Sequence, residues 1–96
     1  MKTLIIVEIC GKDVSSRNRA AGLRLQIVAD AAAQKVRLDF AGVRTVSESF
    51  ADELFGVLIE DYGEQWFREH VEVANLNDLS RETVLDAIAH RLHLAA

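Results

Sequence analysis

Three short segments typical of β-strands, each followed by a stretch of helical character, constrain the fold of this chain most strongly. The segments occupy residues 3–10, 35–40 and 70–74, and the first is apolar almost throughout, which is typical of a strand covered on both faces. Strands and helices that alternate in this way build a parallel sheet with right-handed crossovers. The sequence therefore predicts a small α/β domain of β-α-β-α-β-α order, with a mostly parallel sheet of three or four strands.

The helical stretches carry their own boundary signals. The first, over residues 15–33, is expected to be capped by Asp13 or Ser15 and to bury a stripe of apolar residues at helical spacing: Ala20, Leu23, Ile27 and Ala31. The second begins at Ser47 or Ser49 and ends before Gly63, with Tyr62 on its core face. A short helical turn at residues 64–69 and a last helix from Ser80 complete the prediction.

Length and composition narrow the function classes. The chain has 96 residues, no proline and a single cysteine, Cys10, which favours one domain over residues 1–96 and excludes an internal disulfide framework. The spacing of Asp86, His90 and His93 would suit a metal site, but histidines near a helix C-terminus more often interact with the helix dipole. We expect no cofactor, no metal, no membrane span and a cytoplasmic location.

Charge is divided unequally along the chain. Residues 1–44 hold eight cations and four acids, whereas residues 45–96 hold three cations and eleven acids. Net acidity and the lack of aromatic residues among the basic ones argue against nucleic-acid binding. The division predicts a basic and an acidic surface in different places.

The first candidate site is the start of the first helix, where Ser16, Arg17 and Arg19 lie close together in sequence. Arginines in a first helical turn are unfavourable next to the positive end of the helix dipole. Together with free backbone N–H groups and hydroxyls, they would bind a phosphate or a partner's carboxylate. The alternative is that both arginines point into water.

The second candidate site follows the strand at residues 35–40, where open α/β folds place their binding sites. The sequence there reads LDFAGV and then VSESFADELF. Structural roles would also explain it: Asp39 as a solvated residue, Ser47 and Ser49 as helix caps, and the phenylalanines as core.

This pair of motifs resembles the STAS-like domain of unknown function family (DUF4325), whose core combines DF-x-G-V with FADE-[LI]-F. The family is distantly similar to the STAS domains of anti-sigma-factor antagonists, which carry a phosphorylatable serine just before the helix. That comparison puts Glu48 at the phosphoserine position, with Ser47 before it and Ser49 after it. Glu48 would then imitate a permanent charge, Ser47 or Ser49 would be phosphorylated, or no phosphorylation would occur, the outcome the family's departures favour.

The resemblance implies a non-enzymatic regulatory or adaptor module of the bacterial cytoplasm that binds a partner protein, a histidine-kinase-like ATPase, through residues 43–62. The expected contact residues are Ser47, Glu48, Ser49, Asp52, Glu53 and Glu60. The rival hypothesis is a phosphate or nucleotide binder at Ser16, Arg17 and Arg19, a site that would open at the same sheet edge as the loop at 47–49. Open edges of a three-stranded sheet also suggest a homodimer.

Overall fold

The computed structural model describes the backbone of residues 1–95 and the side chains of residues 1–93. In chain order the elements are β1 (Lys2–Ile5), α1 (Ile6–Cys10), β2 (Asp13–Val14), α2 (Arg17–Ala31), β3 (Val36–Asp39), β4 (Thr45–Val46), α3 (Glu48–Ala51), a π-helical turn (Asp52–Gly56), α4 (Val57–Tyr62), α5 (Glu64–His70), β5 (Val71–Ala74) and α6 (Asp78–Ala95).

The main sheet has the order β1-β3-β5 and all its pairs are parallel. β2 and β4 form a separate parallel pair of two residues each. The predicted α/β class with a mostly parallel sheet is therefore confirmed, with a small second sheet that the sequence did not indicate.

Helices cover only one face of the main sheet. On that face Leu4, Val36 and Leu38 are buried. On the other face Arg37 lies directly opposite Glu72, and their side chains form an ion pair at 3.2 Å while remaining about 40% exposed. Since side chains alternate between the faces of a strand, this polar row marks the solvent side of a two-layer fold.

The prediction of a strand over residues 3–10 is wrong after Ile5. The chain turns into α1, which buries Ile6 completely and ends at Cys10; the next residue, Gly11, has a φ of 88°. An apolar run of this length does not distinguish a buried strand from a buried helical turn. The β-branched residues suit either, so the sequence could not locate the boundary.

α2 has the predicted inner face. Its buried residues are Ala20, Leu23, Ile27 and Ala31. The cap is Ser16, whose hydroxyl accepts a hydrogen bond from the N–H of Arg19 at 3.2 Å. Neither of the predicted caps, Asp13 or Ser15, has this role.

The helical segment from Glu48 to Tyr62 forms the centre of the core. Ser47 caps it, since its hydroxyl accepts from the N–H of Phe50 at 3.0 Å. Phe55 is fully buried, with its ring centroid 6.1 Å from those of both Phe40 and Phe67. Tyr62, predicted to face the core, is 46% exposed, because it ends α4 beyond the core and packs on Trp66 at a centroid distance of 4.7 Å.

α6 begins two residues before the predicted start. Asn77 Oδ1 accepts from the N–H of Ser80 at 2.8 Å, and the Asn77 amide donates to the carbonyl of Arg44 at 2.8 Å. Ser80 is instead buried. No helix among the described residues is long and apolar enough to span a membrane.

Candidate functional site

The starts of α2 and α3 lie side by side. The β2–β4 pair holds them together, and Ser47 reinforces the contact: its N–H donates to Val14 O at 2.9 Å and its hydroxyl to Ser15 O at 3.2 Å. Parallel β-α units bring the ends of their strands to one edge. Arg17 of the first predicted site therefore lies on the same cavity as Glu48 and Ser49 of the second.

Asp52, the first residue of the π turn, is the centre of an ionic network in this region. Arg91 of α6 donates two hydrogen bonds to its carboxylate, Nε to Oδ1 and Nη2 to Oδ2, each at 2.8 Å. Arg17 of α2 donates to Oδ2 at 3.3 Å. The two-pronged Arg91–Asp52 pair is the strongest geometry available to such groups, because two parallel charge-assisted hydrogen bonds form at once.

The network extends on both sides of Asp52. Arg17 also contacts Glu53 at 3.1 Å, and Arg24 donates to the other oxygen of Glu53 at 2.9 Å. Arg91 also donates to Glu60. Three arginines and three acids thus join α2, the π turn, α4 and α6 in a patch without net charge.

The π turn makes room for this arrangement through Gly56. A Cβ atom at position 56 would lie 2.8 Å from Arg91 Cγ and 2.8 Å from Asp52 Oδ1. Any side chain there would displace the Arg91–Asp52 pair. π turns inside helices are frequently associated with functional sites, and here the turn carries the central acid of the network.

Next to the network lies an open cavity of ≈ 690 Å³ between α3 and α6. Arg17, Asp52 and Arg91 line it on one side. Its remaining lining includes four exposed polar residues: Glu48, Ser49, Asp86 and His90. Among the described residues, Glu48 and Asp86 form no ion pair, so their charges face the cavity and solvent.

Three of the acids expected to contact a partner are bound by arginines in the structure. The side chains of Asp52 and Glu53 are only 23% and 17% exposed and bind arginines, and Glu60, at 46%, binds Arg91. Arg17 and Arg24 of the basic front half therefore neutralise acids of the back half here, and Arg91 of the back half neutralises Asp52 and Glu60. The prediction that the two halves form separate surfaces is wrong at this point, because burial of unpaired charges is costly and each acid takes an arginine.

The anion-binding candidates do not converge on one point. The Ser16 hydroxyl caps α2, Arg17 is bound to acids, and Arg19 donates to Ile9 O at 2.8 Å. Ser16 and Arg19 line a shallow depression of ≈ 450 Å³ with Asn18, apart from the cavity that Arg17 lines. Anion binding by the full set stays a prediction that would require Arg17 to leave its acids.

The two serines considered for phosphorylation differ in their surroundings. The Ser47 hydroxyl is used twice, as acceptor for Phe50 N–H and as donor to Ser15 O. Ser49 is exposed, lies on the cavity, and has no side-chain hydrogen bond within the described part of the chain. Of the two, Ser49 is the accessible hydroxyl.

Asp39 and Cys10, which were also considered from the sequence, have surroundings that indicate structural roles. Asp39 accepts hydrogen bonds from the Asn75 amide and from Ala41 N–H, each at 2.9 Å, which lower its pKa and hold the turn after β3. Burial raises the pKa of the Cys10 thiol, which weakens it as a nucleophile at neutral pH. Among residues 1–93, no three metal-ligating side chains are grouped to hold an ion.

Sequence reasoning missed Arg24, Gly56 and Arg91. A signal existed for Arg91: it follows Val84 and Ala87 at helical spacing on the inner face of α6, and a cation on an apolar stripe indicates a buried acid opposite. No comparable signal marked Gly56, because a π turn has no recognisable sequence pattern here.

Gly56→Ala should destabilise the fold by about 1–3 kcal/mol, the usual cost of overpacking a closed site. In an Arg91→Ala background the same substitution should cost less, since one of the two clashing atoms is gone. Urea unfolding of the two single variants and the double variant measures this difference.

Gly22→Ala is the matched control, because an added Cβ at that helical position has no neighbour within 4 Å. It should leave stability unchanged or raise it by about 0.5–1 kcal/mol. Strictly additive costs for Gly56→Ala and Arg91→Ala would contradict the proposed contact.

Asp52 should make stability depend on pH in acid. The hydrogen bonds from Arg91 lower its pKa, partial burial opposes them, and the Arg17 hydrogen bond lowers the pKa further. Because the folded-state pKa is below the unfolded value of about 3.9, the contribution is present above that pH and is lost as pH falls through the folded pKa.

Asp52→Asn should therefore be less stable than the parent at pH 7, and the difference should shrink below about pH 4. Denaturant titrations across this range measure it. The control is Asp86→Asn, since Asp86 is exposed and forms no ion pair within the part of the chain that the structure describes. A difference that stays constant with pH would show that the carboxylate charge is not what Arg91 stabilises.

Comparison with known proteins agrees with this architecture. A family model described as STAS-like domain of unknown function (DUF4325) matches residues 20–81, nearly two thirds of the chain. Neither the curated proteins nor the solved structures gave a match. The matched range runs from α2 into α6 and contains Glu48, Asp52 and Gly56. The chain belongs to the STAS-like domain of unknown function family.

Proposed function

We propose that this chain is a non-enzymatic regulatory or adaptor module that binds a partner protein, a histidine-kinase-like ATPase, through residues 43–62. One observation carries the proposal: the open cavity at the start of α3, lined by the exposed Glu48 and Ser49 and faced by Asp86 and His90 of α6. The proposal places the module in the bacterial cytoplasm, in a signalling, transcriptional or phage-defence circuit.

The charge distribution supports a partner with a basic contact surface. Asp52, Glu53 and Glu60 are neutralised by their own arginines, so they contribute little to the field that a partner meets. Glu48 and Asp86 have no such partners among the described residues. Unpaired rim charges of this kind steer association and select the partner's sign of charge.

This charge distribution also determines which residues should be mutated to test partner binding. Reversing Asp52 would put a cation against Arg17 and Arg91, and reversing Glu53 would put one against Arg17 and Arg24. Either change would place like charges together in a partly buried site and destabilise the fold. Loss of binding in such a variant would therefore say nothing about the surface. Glu48 and Asp86 are exposed, and their reversal leaves the network intact.

The Glu48→Lys/Asp86→Lys double variant should lose the partner that the parent chain captures from its native host. Capture followed by mass spectrometry measures this, with Glu69→Lys, an exposed acid on α5, as the matched control. The proposal expects an ATPase-fold protein that is retained by Glu69→Lys. Equal capture by the double variant, or a captured protein without that fold, would refute it.

Ser49 is the residue that we propose for phosphorylation by that partner. Its hydroxyl is exposed on the cavity, whereas that of Ser47 is engaged in the cap. With ATP and the captured partner, Ser49→Ala should abolish phosphate incorporation. Ser47→Ala should retain it while costing about 0.5–2 kcal/mol of stability through loss of the cap.

Intact-mass spectrometry and denaturant unfolding measure the two effects separately. If phosphate incorporation survives in Ser49→Ala but disappears in Ser47→Ala, the phosphorylated residue is Ser47 and the assignment to Ser49 is wrong. If the parent chain incorporates no phosphate, the phosphorylation proposal is refuted. The partner-binding proposal is judged separately by the capture experiment.

The alternative function is binding of a phosphate or nucleotide at Ser16 and Arg19. The depression that they share with Asn18 supports it, since its described lining includes no carboxylate. Calorimetric titration with ATP, GTP and cyclic nucleotides at low salt distinguishes the two, because the adaptor proposal expects no heat in the absence of a partner protein.

A further inference from the structure

β5 is an edge strand with unused backbone groups. Within the described residues it pairs with β3 alone. Phe40 N–H donates to Ala74 O at 2.9 Å, so the backbone of Ala74 faces β3. Because these groups alternate in direction along a strand, the N–H and C=O of Val73 face away from the sheet.

An apolar groove runs beside this open edge. It measures ≈ 430 Å³ and includes Val73, Leu76, Leu85 and Ile88 in its lining. Leu85 is 53% exposed, a large apolar side chain in water. Arg81 is the only charged residue in the described lining of the groove.

We propose that β5 pairs antiparallel with β5 of a second copy of this chain, which joins two three-stranded sheets across a two-fold axis. Val73 lies opposite Val73 of the second copy, and each donates its N–H to the carbonyl of the other. The two apolar grooves then adjoin, and Leu85 of each copy is covered.

The strand itself favours a second copy as the occupant. With Val73 opposite Val73, each Glu72 faces Ala74, so no like charges are opposed, and Glu72 already holds its own Arg37 at 3.2 Å. A shift that placed Glu72 opposite Glu72 would be repulsive. A slip by one residue would turn the valines onto the polar face. The register with Val73 opposite Val73 avoids both faults and is self-complementary, as a two-fold interface requires.

Sedimentation equilibrium tests the proposal on the full chain. The parent protein should pass with concentration from 10.7 kDa to twice that mass. Leu85→Glu should weaken dimerisation by about tenfold or more, through burial of a charge. Leu25→Glu is the matched control, because Leu25 is 68% exposed on α2, away from the groove, and it should dimerise like the parent.

Amide hydrogen exchange tests the register. The Val73 amide should become protected as concentration rises, whereas the Glu72 amide, directed toward β3, should show the same protection at all concentrations. A parent chain that stays monomeric, equal effects of Leu85→Glu and Leu25→Glu, or a Val73 amide insensitive to concentration would each overturn the proposal.

Discussion

The pairing of Asp52 with Arg91 is the interaction on which the rest of the site depends. It connects the last helix to the π turn, while Arg17 and Arg24 connect α2 to the same turn through Asp52 and Glu53. These charges are partly removed from water, so each needs an opposite charge in good geometry. Four members bind two partners each, namely Asp52, Glu53, Arg17 and Arg91. The network therefore orients three helices as a unit rather than stabilising one contact.

Neutralisation inside the network determines what the surface offers. Had Asp52, Glu53 and Glu60 been free, the helix would present a broad acidic face. With their arginines in place, the acids that line the cavity and form no ion pair among the described residues are Glu48 and Asp86. A narrow pair of charges around a concave surface selects a partner by position as well as by sign, which suits a docking module better than a broad electrostatic attraction does.

The sequence predicted those parts of the fold that local patterns determine. Alternation in β3 and the stripe of α2 followed directly from residue spacing, and the DFAGV and FADELF motifs led to the right family. The boundary between β1 and α1 was wrong, since residues 6–10 suit strand and helix equally. Arg17 with Asp52 is a contact between residues 35 positions apart, and only the assembled β2–β4 pair brings the two together. Local propensity contains no information about such a contact, nor about the π turn that contains Asp52.

The two proposed surfaces lie on opposite flanks of α6. Thr83, Asp86 and His90 face the cavity, whereas Arg81, Leu85 and Ile88 face the groove beside β5. Pairing through β5 therefore leaves the cavity open, and a dimer would present two copies of it on a rigid frame. A partner that is itself dimeric would bind both, and the second contact would form at the high effective concentration that the first one sets. Since α6 also supplies Arg91, any shift of this helix on pairing would act directly on Asp52 at the edge of the cavity. The helix is thus the element through which the two surfaces would influence each other, with Arg91 as the physical link.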